Sequence, residues 1–112
     1  MAEYSTQVPG AINGGTIGCN AQIEVSAGNT FVWKIPSRIG SIGLQEYITE
    51  SPAEYTVSAT MNTIDRVEDG TAYWFDLLTG QTVSRQHVVM PSVTAVKIEV
   101  IIGKVEFAIR GQ

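Results

Sequence analysis

The chain has 112 residues, the size of one domain with a single core, and carries a net charge of −4. Its seven Lys and Arg are scattered and no basic run exists, so it lacks the clustered cations that displace counterions from nucleic-acid phosphates or that hold an anionic membrane. A single cysteine, Cys19, excludes an intrachain disulfide framework, and no apolar run approaches the ~20 residues of a membrane helix.

The N-terminus has neither a basic nor a continuous apolar stretch of the secretory type, so the expectation is a protein made in a reducing cytosol. Val, Ile and Thr total 35 residues against 3 Leu. β-branched side chains fit a pleated sheet and lose rotamer freedom in a helix, which points to an all-β chain.

In chain order, residues 1–20 carry one charge, Glu3, and four glycines, and read as an irregular N-terminal arm. Val8, Ile12 and Ile17 are its candidates for contact with a neighbouring subunit. Residues 21–112 read as one β domain. Ile23 and Val25 alternate with Gln22 and Glu24, Ala27-Gly28-Asn29 marks a turn, and Phe31, Trp33 and Ile35 alternate with Val32 and Lys34. This predicts a hairpin that Pro36 ends. A short strand is expected around Ile42 to Ile48, then a loop, since Ser51-Pro52 opposes any long helix. Tyr55, Val57, Ala59 and Met61 form the apolar side of the next strand. Residues 62–70 read as a polar loop ending in Glu68-Asp69-Gly70. An aromatic strand follows over 71–76, with Tyr73 and Phe75 on one face and Ala72 and Trp74 on the other. After a turn at Thr79-Gly80, one more strand runs from Thr82 to Met90.

The last twenty residues carry the clearest pattern. Val96, Ile98 and Val100 alternate with Lys97 and Glu99, and Val105, Phe107 and Ile109 resume the alternation after Gly103-Lys104. A two-residue turn there predicts a closing hairpin that pairs Ile102 with Val105, Val100 with Phe107, and Ile98 with Ile109. Ile101 is the misfit: it is apolar on the polar face, and so it is a candidate subunit contact. Seven to eight short strands with turns every 8–12 residues predict a single antiparallel β-sandwich or a jelly-roll-like small barrel.

Chemistry is sparse. His87 is the only histidine, and a nearby Ser84 and Asp76 make no triad without geometry, so it reads as a surface strand histidine. One Cys and one His cannot form a usual zinc site within one chain. Glu46, Glu50 and Glu54 recur every four residues, and Asp65, Glu68 and Asp69 cluster in one loop. Either set offers oxygens to calcium, but neither has EF-hand spacing. Gly14-Gly15-Thr16-Ile17-Gly18 lacks the Lys-Ser/Thr of a phosphate loop. No catalytic, cofactor or metal residue is assigned, and the expectation is a protein that is not an enzyme. Trp74 is the one candidate ligand platform, because its strand neighbours Tyr73 and Phe75 face the other way.

The run Glu68-Asp69-Gly70-Thr71-Ala72-Tyr73-Trp74-Phe75-Asp76, then Pro91-Ser92-Val93-Thr94-Ala95-Val96-Lys97 and the segment ending Ile109-Arg110-Gly111-Gln112, resembles small virion-associated proteins of tailed bacteriophages. The resemblance covers roughly residues 55–112. It departs at Leu77-Leu78, where that group places another aromatic. It implies a structural virion protein: a capsid decoration or cement protein made in the host cytoplasm, bound to the outside of the major capsid protein shell and to copies of itself, most simply as a homotrimer. The alternative it leaves is a tail, fibre or head-spike module that binds a host-surface glycan. Neither reading needs a cofactor, nucleic acid or membrane as partner.

Overall fold

A computed structural model describes residues 2–7, 10–13, 16–35, 42–89 and 93–111; for residues 2–20 and Val89 the description is of the backbone alone. The elements are β1 (Ala2–Gln7), β2 (Gly10–Asn13), β3 (Thr16–Ser26), β4 (Asn29–Lys34), β5 (Ile42–Thr60), α1 (Ile64–Asp69), β6 (Phe75–Gln81), β7 (Arg85–Val89) and β8 (Ala95–Gly111). The all-β class expected from composition holds. All eight strands share one sheet, and every pairing is antiparallel except that of β1 with β4.

The centre of the sheet is β8, 17 residues long. The closing hairpin is not there: the chain runs through Gly103 without reversing. One edge of β8 is paired by β5 along its length, from Ile42↔Gly111 to Thr60↔Ala95. Its other edge is shared by β3 over Ser26↔Lys104 to Cys19↔Gly111 and by β4 over Thr30↔Glu99 to Lys34↔Ala95. The predicted β3–β4 hairpin is likewise absent, and the two strands run end to end in one direction along β8. Ala27 and Gly28 bridge them, and their amides donate to the carbonyls of Gly103 and Val100 at 2.9 Å each.

The reason is a bulge. Val100 and Val105 are five positions apart and would fall on opposite faces of an unbroken strand, yet both are buried in one core. Gly103, with φ +77°, absorbs the extra residue. The partner strand bends at the same level, with register shifts between Ile48 and Tyr55, so β5 continues through Pro52 where a loop was expected. Added at Gly103, a Cβ would collide with the backbone oxygen of Pro52, lie 2.5 Å from that of Glu50, and stand 2.9 Å from Ala53 Cβ. Only glycine meets both the dihedral and the space.

The kink divides the sheet into two halves with one core. The first half places Phe31 and Trp33 of β4, Tyr55, Val57 and Ala59 of β5, and Val96, Ile98 and Val100 of β8 on its inner face. The second contributes Val25, Ile42, Leu44, Val105, Phe107 and Ile109. Tyr55 and Phe107 meet edge to face across the bend, ring centroids 5.7 Å apart. The outer face of the first half is also covered, with Val32, Ser58 and Thr60 buried there. The expected polar loop over 62–70 contains α1, closed by Gly70 in the left-handed conformation. Glu68 at its end takes the Lys34 ammonium at 3.2 Å, and Lys97 Nζ lies 4.6 Å from the centroid of the Trp74 ring. Among the described residues the outer face of the second half has no such cover, and Gln22, Glu24, Gln45 and Tyr47 are exposed on it. Among the described residues no helix is long and apolar enough to cross a membrane.

The lead-in read as an irregular arm is strand in its described parts. β1 lies parallel to β4, and β2 returns along β3 from Gly10↔Cys19 to Asn13↔Thr16. Such pairing satisfies backbone groups that a loose arm leaves to water.

Candidate functional site

Three places gather the sequence candidates or expose apolar surface. The first is the kink. The bulge turns two consecutive isoleucines outward, and Ile101 and Ile102 are 45% and 46% exposed although they sit on the most central strand. Ile101, singled out in sequence as an apolar residue on a polar face, is therefore outside the core. Charged groups border the pair: Glu54 lies opposite Ile102, and Lys104 and Glu50 face each other at 3.8 Å. Of the arm candidates, Val8 lies outside the described residues. Ile12 and Ile17 stand opposite each other in the β2–β3 register, with side chains outside the description.

The second place is the aromatic segment. Strand β6 begins at Phe75, later than the alternation over 71–76 predicts, because the chain over 71–74 returns from α1 through other bonds. Thr71 and Ala72 amides both donate to the Arg66 carbonyl, and the Tyr73 amide donates to Asn62 Oδ1 at 2.6 Å. Trp74 is half-buried against Lys97. The open ring is Tyr73, with the Arg66 guanidinium 4.9 Å from its centroid. The turn expected at Thr79-Gly80 is instead a bulge inside β6, where Gly80 has φ +57°.

The third place was missed by sequence reasoning. Glu46 lies on the inner face of β5 between Leu44 and Ile48, opposite Phe107, and is 1% exposed. His87 of β7 pairs with Leu44 and shares its face, so it is not a surface histidine: Nε2 stands 3.0 Å from both Glu46 carboxylate oxygens. Burial drives the Glu46 carboxyl up to about 7 against the opposing pull of Arg85, and burial with Arg85 pushes the His87 imidazole down. The contact distance suits an ion pair, but both shifts favour the neutral forms, in which the carboxyl O–H donates a hydrogen bond to Nε2. Tyr55 joins the same pocket of polarity. Its hydroxyl donates to the Val83 carbonyl at 2.7 Å, and burial together with the nearby Glu46 pushes its pKa up to about 12. The signal available in sequence was a lone acid in the apolar register Ile42, Leu44, Ile48, and a single histidine on a strand short enough to be an edge.

This arrangement fastens β7 to β5. Ser84 Oγ accepts from the Ile48 amide at 3.0 Å, while Asp76 accepts from Ser58 Oγ at 2.9 Å on another strand pair, so the formal triad is not assembled. The two acidic sets do not converge. Glu46 is buried, Glu50 and Glu54 sit at the kink, Glu68 binds Lys34, and Asp69 accepts from Thr71. Among the described residues no group of three or more His, Cys, Asp or Glu side chains is placed to hold a metal ion.

No protein-family model and no curated protein matches this chain.

Proposed function

We propose that the chain is a structural virion protein of a tailed bacteriophage, a capsid decoration or cement protein that binds the outer surface of the major capsid protein shell and copies of itself. The observation that carries this reading is the kink. Two adjacent isoleucines are held out toward solvent on a central strand that is paired along both edges. An exposed apolar pair bordered by charges is suited to packing against another protein surface. The resemblance over roughly residues 55–112 supplies the virion context, and the acidic balance suits a surface that stays off the genome. Assembly as a homotrimer fits a protein seated at local three-fold positions of a shell. Ile101→Lys tests the role directly: the purified variant is expected to keep the wild-type fold and melting temperature while its self-association and capsid binding fall. If Ile101→Lys unfolds the isolated chain, or binds shells as wild type does, the kink is not the docking surface.

A further inference from the structure

We infer that the uncovered outer face of the second half-sheet is a binding groove for a neutral glycan, a site separate from the kink and from Trp74 and independent of the virion reading. An open groove of about 1260 Å³ lies there, crossing β3, β8, β5 and β7. Its rows follow from the register. Gln22 is opposite Ala108, Ala108 opposite Gln45, and Gln45 opposite Gln86, so three glutamines and one small residue cross four strands in line. The adjacent row sets Gly43 between Arg110 and the exposed Val88. The three glutamine side chains are exposed, and none has a hydrogen-bond partner among the described residues.

Gly43 is the informative residue. Its φ lies outside the left-handed region, and a Cβ added to it would meet only the Arg110 and His87 carbonyl oxygens, at 3.8 and 4.0 Å. Neither conformation nor packing therefore requires glycine, unlike at Gly103. A glycine inside a strand costs chain entropy and forgoes side-chain packing, and one structural use for it is to let another molecule approach the backbone. Ala108 between Gln22 and Gln45, and Gly43 in the next row, leave the floor of the groove low.

The lining selects the ligand class. Each primary amide presents a donor and an acceptor side by side, which matches neighbouring hydroxyl groups on a sugar ring. Arg110 is the single cation of these rows, and the next row carries Glu24 opposite Glu106, so an anion is disfavoured. Among the described residues of these rows Val88, at the β7 edge beside Gly43, is the one exposed large apolar side chain, too little for a lipid or a flat hydrophobic ligand. Tyr47 lies further along β5 on the same face and is more than half exposed, a ring free to stack on the C–H face of a sugar.

The experiment uses the labelled full chain on an array of neutral oligosaccharides (linear glucans, galactans, mannans and N-acetylhexosamine oligomers). The best binder is then titrated by NMR against wild type, Gly43→Val and the double variant Gln45→Ala/Gln86→Ala. The inference expects amide shifts centred on Gly43, Gln45 and Ala108. It also expects Gly43→Val to hold or raise the melting temperature while weakening binding by roughly tenfold or more. If Gly43→Val fails to fold, the exposed double variant carries the same expectation of lost binding. No neutral glycan bound at millimolar concentration, binding of acidic glycans alone, or undiminished binding by the folded variants would each overturn it.

Discussion

At the residue scale the sharpest consequence concerns Glu46 and His87. A carboxyl whose pKa is raised on folding makes the native state bind protons more tightly than the unfolded chain, so its contribution is complete below the ordinary carboxyl range, near 4.5, and is lost as pH climbs through about 7. The His87 imidazole is depressed and has the opposite sign: its contribution is present above its ordinary value of 6.5 and is lost as pH falls through the lowered one. Thermal or urea unfolding across pH 4–9 should therefore show stability declining by roughly 1–3 kcal/mol between about pH 4.5 and 7, as the buried carboxyl ionises, and levelling off above that. Glu46→Gln should remove most of that decline, because a glutamine amide still donates to Nε2 without ionising. An unchanged decline between about pH 4.5 and 7 in Glu46→Gln would assign the titration to another group. Sequence alternation reached the positions of this pair but not the pairing. The acid at 46 stood in an apolar register, and only the β5–β7 pairing brings a histidine 41 residues away onto the same face.

At the element scale the account rests on long bulged strands where hairpins were expected. The alternating faces were legible: Val96, Ile98, Val100, Val105, Phe107 and Ile109 all enter the core as the pattern requires. The connectivity was not, because glycine at a type II′ turn and glycine at a bulge are the same letter. What separates them is the pair of partners, β5 and β3–β4, that flank β8 on both edges and lie far away in sequence. The same ambiguity at Gly28 made two collinear strands look like a hairpin. Gly103→Ala should lower stability by about 3 kcal/mol or more, since the methyl meets backbone oxygens that cannot rotate away and the dihedral is itself unfavourable. Gly28→Ala, with a similar φ but nothing within 4 Å of the added Cβ, should cost only about 1 kcal/mol. Chemical denaturation of the two variants measures the difference, and equal losses would mean that the kink is not packed as described. Tyr55→Phe isolates a further link between elements: loss of the bond to Val83 should cost about 1 kcal/mol and raise amide exchange over residues 82–84.

At the scale of the whole molecule, three long segments bend together and enclose one core, in a body of 42 × 31 × 20 Å. The bend has two results. It closes the two halves over Tyr55 and Phe107, and it turns Ile101 and Ile102 out on the opposite side of the same bulge. Core formation and the exposed contact thus have one cause. Composition alone made the all-β class readable, and an apolar misfit at 101 was visible without coordinates. The groove around Gly43 was not, since its rows are made of residues from four separate strands. The proposed role as a virion surface component requires the chain to dock through its kink. Electron cryomicroscopy of particles assembled with the chain tests it most directly. The account predicts density for the domain on the outside of the capsid shell, with Ile101 and Ile102 facing the major capsid protein or a neighbouring copy. Density confined to the tail, or a shell-bound domain whose kink faces solvent, would contradict it.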